Sequence, residues 1–164
     1  METAYLAGGC FWCVEAIFQR VNGITELKSG YCNGSTQNPS YESICSGQTG
    51  HAEVVKIDFD ESVVSFEELL EVFVETHDPT SLNQQGADRG TQYRSAIFYV
   101  NDSQKQIATS VIADITGAVT EITELDVFYP AEGYHQNYFN DNANQPYCRM
   151  DILPKIQKYF RDGD

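Results

Sequence analysis

Twice along this chain, a strand-like run gives way to a helix-spaced apolar stripe and then returns to a strand. That alternation restricts the possible folds more than any other feature of the sequence. Thr3 to Gly9 reads as a strand ending in Gly8-Gly9. Val14, Ile17, Phe18 and Val21 follow at i, i+3, i+4 and i+7, one face of a helix that Asn22-Gly23 ends. Ile24 to Cys32 is the returning strand, and residues 33–40 are rich in turn formers. The second round opens with Ala52 to Asp58, where Val54-Val55-Lys56-Ile57-Asp58-Phe59 is rich in β-branched and aromatic residues. Ser65 and Glu68 form a capping box before a stripe of Phe66, Leu69, Leu70 and Phe73, and Asp78-Pro79 closes it. Arg94 to Val100 is the strand that follows.

Residues 79–91, between that helix and strand, form a polar, glycine-bearing loop. A connection of that length points to function. Asn101-Asp102 caps a helix carrying Ile107, Val111, Ile112 and Ile115, and Thr120 to Phe128 predicts one further strand before short terminal helices. The order β-α-β-β-α-β-α-β-α predicts an α+β fold. The expected form is a two-layer sandwich around a mixed β-sheet, with a ferredoxin-like β-α-β core. No repeat or linker divides the chain, so residues 1–164 read as one domain.

Aspartate and glutamate number 24 against 10 lysines and arginines, a net charge of −14. Nucleic acid and anionic membrane surfaces carry the same sign, so neither is expected as a partner. The first residues, Met1 to Leu6, lack the basic and apolar regions of a secretory signal. The longest apolar run, Ala96 to Val100, is too short to span a bilayer. The expectation is a soluble, cytoplasmic, monomeric protein. Five cysteines, Cys10, Cys13, Cys32, Cys45 and Cys148, are an odd count that does not suit a secreted disulfide scaffold.

The first chemical constellation is Gly8-Gly9-Cys10-Phe11-Trp12-Cys13. Cys10 sits where a strand turns into a helix, and a helix N-terminus lowers a thiol's pKa. That makes Cys10 a candidate nucleophile. Phe11 and Trp12 either line an apolar pocket or pack in the core. The C-x-x-C of Cys10 and Cys13 reads three ways: half a zinc site, a redox pair, or one reactive thiol beside an incidental one. Glu53, in Gly50-His51-Ala52-Glu53, shares a strand face with Val55, Ile57 and Phe59. It is either a desolvated acid at the edge of an apolar face or a solvated strand end. Asp88 and Tyr93, in the long loop, and Tyr41, in Pro39-Ser40-Tyr41-Glu42, are candidate partners for a polar substrate atom. His51, His77 and His135 show no metal-ligand spacing and read as structural.

Taken together, these segments resemble the peptide methionine sulfoxide reductase A family. The resemblance runs through Gly9-Cys10-Phe11-Trp12, Gly30-Tyr31, Tyr41, Cys45-Ser46-Gly47 and Gly50-His51-Ala52-Glu53. It continues through His77-Asp78-Pro79, Asp88 to Ser95, Ala131-Glu132, His135-Gln136 and Gln145-Pro146-Tyr147-Cys148. It implies that Cys10 attacks the sulfoxide sulfur, Glu53 protonates the oxygen, and Tyr41 and Tyr93 polarise it. It also implies that Asp88 belongs to the same site and that Phe11 and Trp12 receive the methyl group. It further implies selectivity for the S epimer, peptide-bound or free, with no metal or organic cofactor. Cys148 matches the family's resolving cysteine, with Cys13 as runner-up, and Cys32 and Cys45 read as bystanders. Thioredoxin or a similar dithiol is the implied reductant. Two rival readings are a general C-x-x-C thiol–disulfide oxidoreductase and an acidic zinc-binding module. The chain departs from the family pattern at Cys13, where glycine is common, and at Cys32-Asn33.

Overall fold

A computed structural model describes residues 2–85, 88–142, 144–146, 150 and 152–160. The two strand–helix–strand rounds are its framework. Strand β1 (Glu2–Gly8), helix α1 (Phe11–Phe18) and strand β2 (Ile24–Cys32) make the first. After the short helix α2 (Tyr41–Cys45), strand β3 (Ala52–Phe59) and helix α3 (Phe66–Thr76) open the second. The long loop holds a miniature hairpin, β4 (Gln84–Gln85) with β5 (Asp88–Arg89), and a 3₁₀ turn at Thr91–Tyr93. Strand β6 (Ser95–Tyr99) then completes the round. Helix α4 (Asp102–Ala113), strands β7 (Glu121–Glu124) and β8 (Phe128–Pro130), and helices α5 (Tyr138–Asp141) and α6 (Leu153–Phe160) follow.

The main sheet has six strands in the order β7-β6-β1-β3-β2-β8. Only the β6–β7 pair is parallel, so the sheet is mixed, and with the helices it makes an α+β fold. Local chemistry explains most boundaries. Ser65 and Glu68 cap α3 reciprocally, at 3.1 and 3.0 Å. Asn101 caps α4 by accepting the Gln104 N–H at 2.8 Å. Helix α1 ends at Phe18, before the expected Asn22-Gly23 stop, and Val21 packs against the core from the turn that follows.

One expectation is corrected. Thr120 to Phe128 is not a single strand: β7 and β8 lie at opposite edges of the sheet. Residues 125–127 join them, and three residues reach only about 10 Å. The sheet must therefore curl until its two edges nearly meet. Asn33 bridges the seam, donating to the Glu124 carbonyl and accepting the Asp126 N–H, both at 2.9 Å.

Alternation then splits the core in two. Ala7, Cys32, Ala52, Val54, Ala96 and Phe98 fill the inside of the curl, closed by Leu125 and Phe128. Five of those six are small, which suits a tight curve. The opposite strand faces carry Leu6, Val55, Ile57, Phe59 and Ile97, which pack with Phe11, Ile17, Phe18, Leu69, Leu70 and Phe73 of α1 and α3. Burying each such large side chain stabilises the fold by about 1.5–3 kcal/mol. Among the described residues, no helix is long and apolar enough to cross a membrane.

Asn33 holds a left-handed backbone, with φ of 56°. Asn33→Ala should therefore lose both seam bonds and strain the backbone, a destabilisation of about 2–4 kcal/mol. Asn33→Gly, which keeps the backbone relaxed, should cost about 1–2 kcal/mol less. Urea unfolding of the two variants checks the difference.

Candidate active site

The site forms where β1 hands over to α1. Gly9 takes φ of 92°, and a side chain there would meet Gln85 at 2.8 Å. Only glycine combines that turn with that close approach. Cys10 follows with an extended backbone as the N-cap of α1, yet its side chain caps nothing. The orphan N–H of Phe11 instead donates to Glu53 Oε1 at 3.1 Å. Glu53 stands on β3, opposite Tyr31 of β2. It is only 1% exposed, on the same helix-facing side as Val55 and Ile57. The buried alternative for this residue is the one adopted.

Burial pushes the Glu53 carboxyl up to about 8. The Phe11 N–H and the Cys10 thiol oppose that rise only in part, while Asp88 and Cys13 add to it. At neutral pH the group is therefore mostly a protonated acid. Its second oxygen, Oε2, is buried with no hydrogen-bond partner of ordinary geometry among the described residues.

Cys10 is 7% exposed. The expectation of a lowered thiol pKa is reversed. Desolvation raises it well above the ordinary value, with Cys13 and the charge of Glu53 adding to the rise, and the backbone N–H at Trp12 opposes only weakly. Burial thus outweighs the helix terminus. Cys10 and Glu53 rest as a neutral thiol and a neutral acid.

Two phenols complete the pocket. Tyr93, at the end of the 3₁₀ turn, is half-buried, and its pKa is raised first by burial and then by Glu53, Cys10, Asp88 and Cys45. Tyr41 opens α2, and its pKa is raised by burial and by a hydrogen bond with Cys45. Both stay protonated donors across the ordinary pH range. Asp88 lies on β5, within electrostatic reach of Glu53 and Tyr93. The structure therefore brings Cys10, Glu53, Tyr41, Tyr93 and Asp88 together.

Phe11 and Trp12 separate. Phe11 is fully buried, with ring centroids 5.6 Å from Tyr31 and 5.1 Å from His135. Trp12 is only partly buried. It stacks on Tyr138 of α5 at 3.8 Å and 11°, with Tyr41 6.3 Å away.

Among the other cysteines, Cys13 is buried one helical turn from Cys10, its N–H donating to the Cys10 carbonyl at 3.0 Å. Cys32 lies inside the curl, and desolvation raises its thiol pKa strongly. Cys45 is exposed, close to Tyr41, so it borders the site. None of Cys10, Cys13, Cys32 and Cys45 is in a disulfide. Cys148 lies outside the described residues.

Sequence reasoning placed Glu132 and His135 in segments that resemble the family and read His135 as structural, but it gave neither a contact in the site. Glu132 accepts the Tyr31 hydroxyl at 2.9 Å and the Tyr41 N–H at 2.8 Å, tying α2 to the sheet. His135 is completely buried and accepts the Trp12 indole N–H at 3.0 Å. No periodicity marks either one; each is found only by its distant partner. His51 and His77 are structural, as expected. His51 accepts the Gly34 N–H, and His77 pairs with Ser95.

Comparison with known proteins gives a consistent result. Residues 2–163 match the model of the family described as peptide methionine sulfoxide reductase. The peptide methionine sulfoxide reductase MsrA of Vesicomyosocius okutanii is 64% identical over 98% of this chain and 99% of its own. Mxr1 from Saccharomyces cerevisiae in reduced form has a TM-score of 0.82 at 34% identity, covering 90% of this chain and 88% of its own. Methionine sulfoxide reductase A of Corynebacterium diphtheriae has a TM-score of 0.79 at 34% identity, covering 87% and 75%. Mxr1 has also been solved in complex with Trx2.

The Glu53 environment predicts a pH signature in stability. Its folded pKa of about 8 lies above the unfolded value, so the folded state retains a proton that the unfolded state has lost. Wild type should lose stability relative to Glu53→Gln between about pH 4.5 and 8, on the order of 1.4 kcal/mol per pH unit, and level off above. Denaturant midpoints of both proteins across that range check it.

Proposed function

The chain belongs to the peptide methionine sulfoxide reductase family and reduces methionine sulfoxide with a thiol, and we propose the following roles for its residues. Cys10 attacks the sulfoxide sulfur while Glu53 gives its proton to the oxygen. Methionine leaves, Cys10 becomes a sulfenic acid, and the proton lost from the thiol replaces the one given by the acid. Atoms balance as sulfoxide plus thiol giving sulfenic acid plus thioether. The observation that carries this reading is a buried, protonated carboxyl pinned to the first N–H of the helix that follows Cys10, with one oxygen that has no hydrogen-bond partner of ordinary geometry among the described residues.

Tyr41 and Tyr93 donate to the same oxygen as negative charge builds on it. Asp88 helps keep Glu53 protonated, since its charge opposes ionisation of the acid. The partly exposed Trp12 receives the methyl group, and the buried Phe11 backs it. The substrate is the S epimer, peptide-bound or free.

Cys148 then condenses with the sulfenic acid, releasing water and forming a disulfide, with Cys13 as the alternative. A thioredoxin-like dithiol reduces that disulfide; the complex of the similar Mxr1 with Trx2 supports the choice. The chain works as one monomeric, cytoplasmic domain. Its strand order, with β1 and β2 flanking β3 and with β3 and β6 flanking β1, supports the ferredoxin-like reading of the core.

Mixing reduced protein with excess racemic N-acetyl-methionine sulfoxide, without added reductant, tests the reading. About one methionine should form and two thiols vanish per chain, with only the S epimer consumed. Cys10→Ser should form no methionine. Disulfide mapping should place the bond between Cys10 and Cys148; a disulfide that persists in Cys148→Ser would pass the role to Cys13.

Glu53→Gln should lower the single-turnover rate by about 10²–10⁴-fold. In wild type that rate should fall as pH rises through about 8, where Glu53 ionises. The variant should lack that alkaline limb, and stopped-flow pH profiles of the two proteins check it.

A further inference from the structure

Helix α2 carries Tyr41 at its first position, and at five residues it is too short to stand by itself. Its reciprocal Ser40–Ser43 cap, at 2.9 and 3.2 Å, is local and exposed, and Ile44 is its one buried residue. A carboxylate from a distant part of the chain fixes the helix to the sheet instead. Glu132 Oε2 accepts the Tyr41 N–H at 2.8 Å, across 91 residues of sequence. Glu132 Oε1 accepts the Tyr31 hydroxyl at 2.9 Å. The Tyr41 hydroxyl is itself hydrogen-bonded to Cys45, at the other end of α2, so it moves with the helix.

Both supports of Glu132 belong to the sheet. The Ala131 N–H donates to the Ser29 carbonyl at 2.9 Å, which carries the β2–β8 ladder up to the residue before it. Tyr31 is fully buried, its ring centroid 5.6 Å from that of Phe11, and it stands on β2 opposite Glu53 of β3. Burial opposes ionisation of Glu132, but the Tyr41 N–H, its own backbone and the Tyr31 hydroxyl together hold its carboxyl below the usual range. Glu132 is thus a carboxylate where Glu53 is an acid, and its two bonds are charge-assisted. A continuous path runs from Glu53 through Tyr31 and Glu132 to Tyr41. Its ends are two of the groups assigned above to the sulfoxide oxygen, and its middle has no substrate atom to touch in that assignment.

We propose that Glu132, held by Tyr31, is a positioning residue that sets the Tyr41 hydroxyl against the sulfoxide oxygen, in register with Glu53. This rests on the assignment of Tyr41 as a donor to that oxygen. Negative charge on the oxygen is largest in the transition state. Misplacing the hydroxyl therefore slows the reaction more than it weakens binding.

Three variants divide the network. Glu132→Ala removes both acceptors. Glu132→Gln preserves both contacts: the Tyr41 N–H can only donate and takes the amide oxygen, while the Tyr31 hydroxyl can accept from the amide NH₂. Tyr31→Phe removes one bond and leaves Tyr41 on the carboxylate. With N-acetyl-methionine sulfoxide in single turnover, Glu132→Ala should slow methionine formation at saturation by about 10–100-fold, less than the loss of a donor outright. The half-saturating concentration should change by less than about threefold. Tyr31→Phe should be about three- to tenfold slower, and Glu132→Gln within about threefold of wild type. In a Tyr41→Phe background the further effect of each should fall below about threefold, because the hydroxyl they position is gone. Glu132→Ala should also speed hydrogen exchange of the Tyr41 amide by about tenfold, and Glu132→Gln should keep it protected.

A wild-type rate in Glu132→Ala would overturn the proposal. So would a loss of undiminished size in the Tyr41→Phe background, which would make Glu132 a support of the fold at large, or a loss confined to half-saturation. If Glu132→Ala does not fold, Tyr31→Phe takes its place, and a wild-type rate or a loss that persists beside Tyr41→Phe overturns the proposal. A wild-type protein that forms no methionine would instead overturn the functional reading, and exchange at the Tyr41 amide would still decide whether Glu132 pins α2.

Discussion

The hydrogen bond from the Phe11 N–H to Glu53 is the contact on which the rest of the site depends. A helix begins with orphan N–H donors, and a local side chain usually satisfies one of them. Cys10 stands at the cap position and gives no such bond. A carboxyl from another strand, 42 residues away, takes its place. Helix α1 therefore starts where β3 passes, and Cys10 and Glu53 are brought together by the same bond. One N–H is enough to hold the carboxyl but not to ionise it in so dry a place. The contact that organises the backbone also leaves the acid protonated.

Around that bond the protein has placed neutral polar groups. Tyr41 and Tyr93 remain phenols because burial and neighbouring acids oppose their ionisation. His135 remains neutral because its environment disfavours a cation. In a chain of net charge −14, this gives a centre with few charges inside a strongly anionic surface. Donors in a dry site act on a developing charge more strongly than in water, and they need not reorient when that charge appears. The sheet supports the arrangement from behind. Tyr31 stands opposite Glu53 on β2, and its hydroxyl reaches Glu132, which in turn holds the first N–H of α2. Strand pairing and the tyrosine positions are thus parts of one network.

What the sequence made legible was local. The period of Val54 to Phe59 and the Ser65–Glu68 box depend on neighbours a few residues apart, and both elements form where that pattern places them. What stayed hidden was set by distant chemistry. Thr120 to Phe128 has continuous strand character, and nothing within it says that the two halves pair with opposite edges. Asn33, 91 residues before Glu124, decides that. Phe11 and Trp12 are adjacent and similar in type, yet one helical step sends the first into the core and leaves the second at the rim. The helix-terminus argument for Cys10 was sound as local electrostatics. It was overridden by desolvation, which depends on what the folded chain lays over the thiol.

That override bears on how the proposed nucleophile survives. The thiolate is the form that oxidants attack, so a thiol held above its usual pKa is protected while it waits. Two ionisable groups this close in a dry pocket also resist ionising together. The resting pair, thiol and acid, is stable because both hold their protons. A sulfoxide changes that balance, because its oxygen is a base, and among the described residues Glu53 Oε2 has no hydrogen-bond partner of ordinary geometry. As the acid's proton moves toward that oxygen, sulfur becomes a better electrophile at the point where Cys10 must lose its own proton. A simple peroxide lacks the methyl group that Trp12 receives in the proposed reaction and cannot use binding there to settle against the acid. In the proposed reaction, discrimination therefore comes from pairing an apolar wall with a single protonated oxygen, more than from any intrinsic reactivity of Cys10.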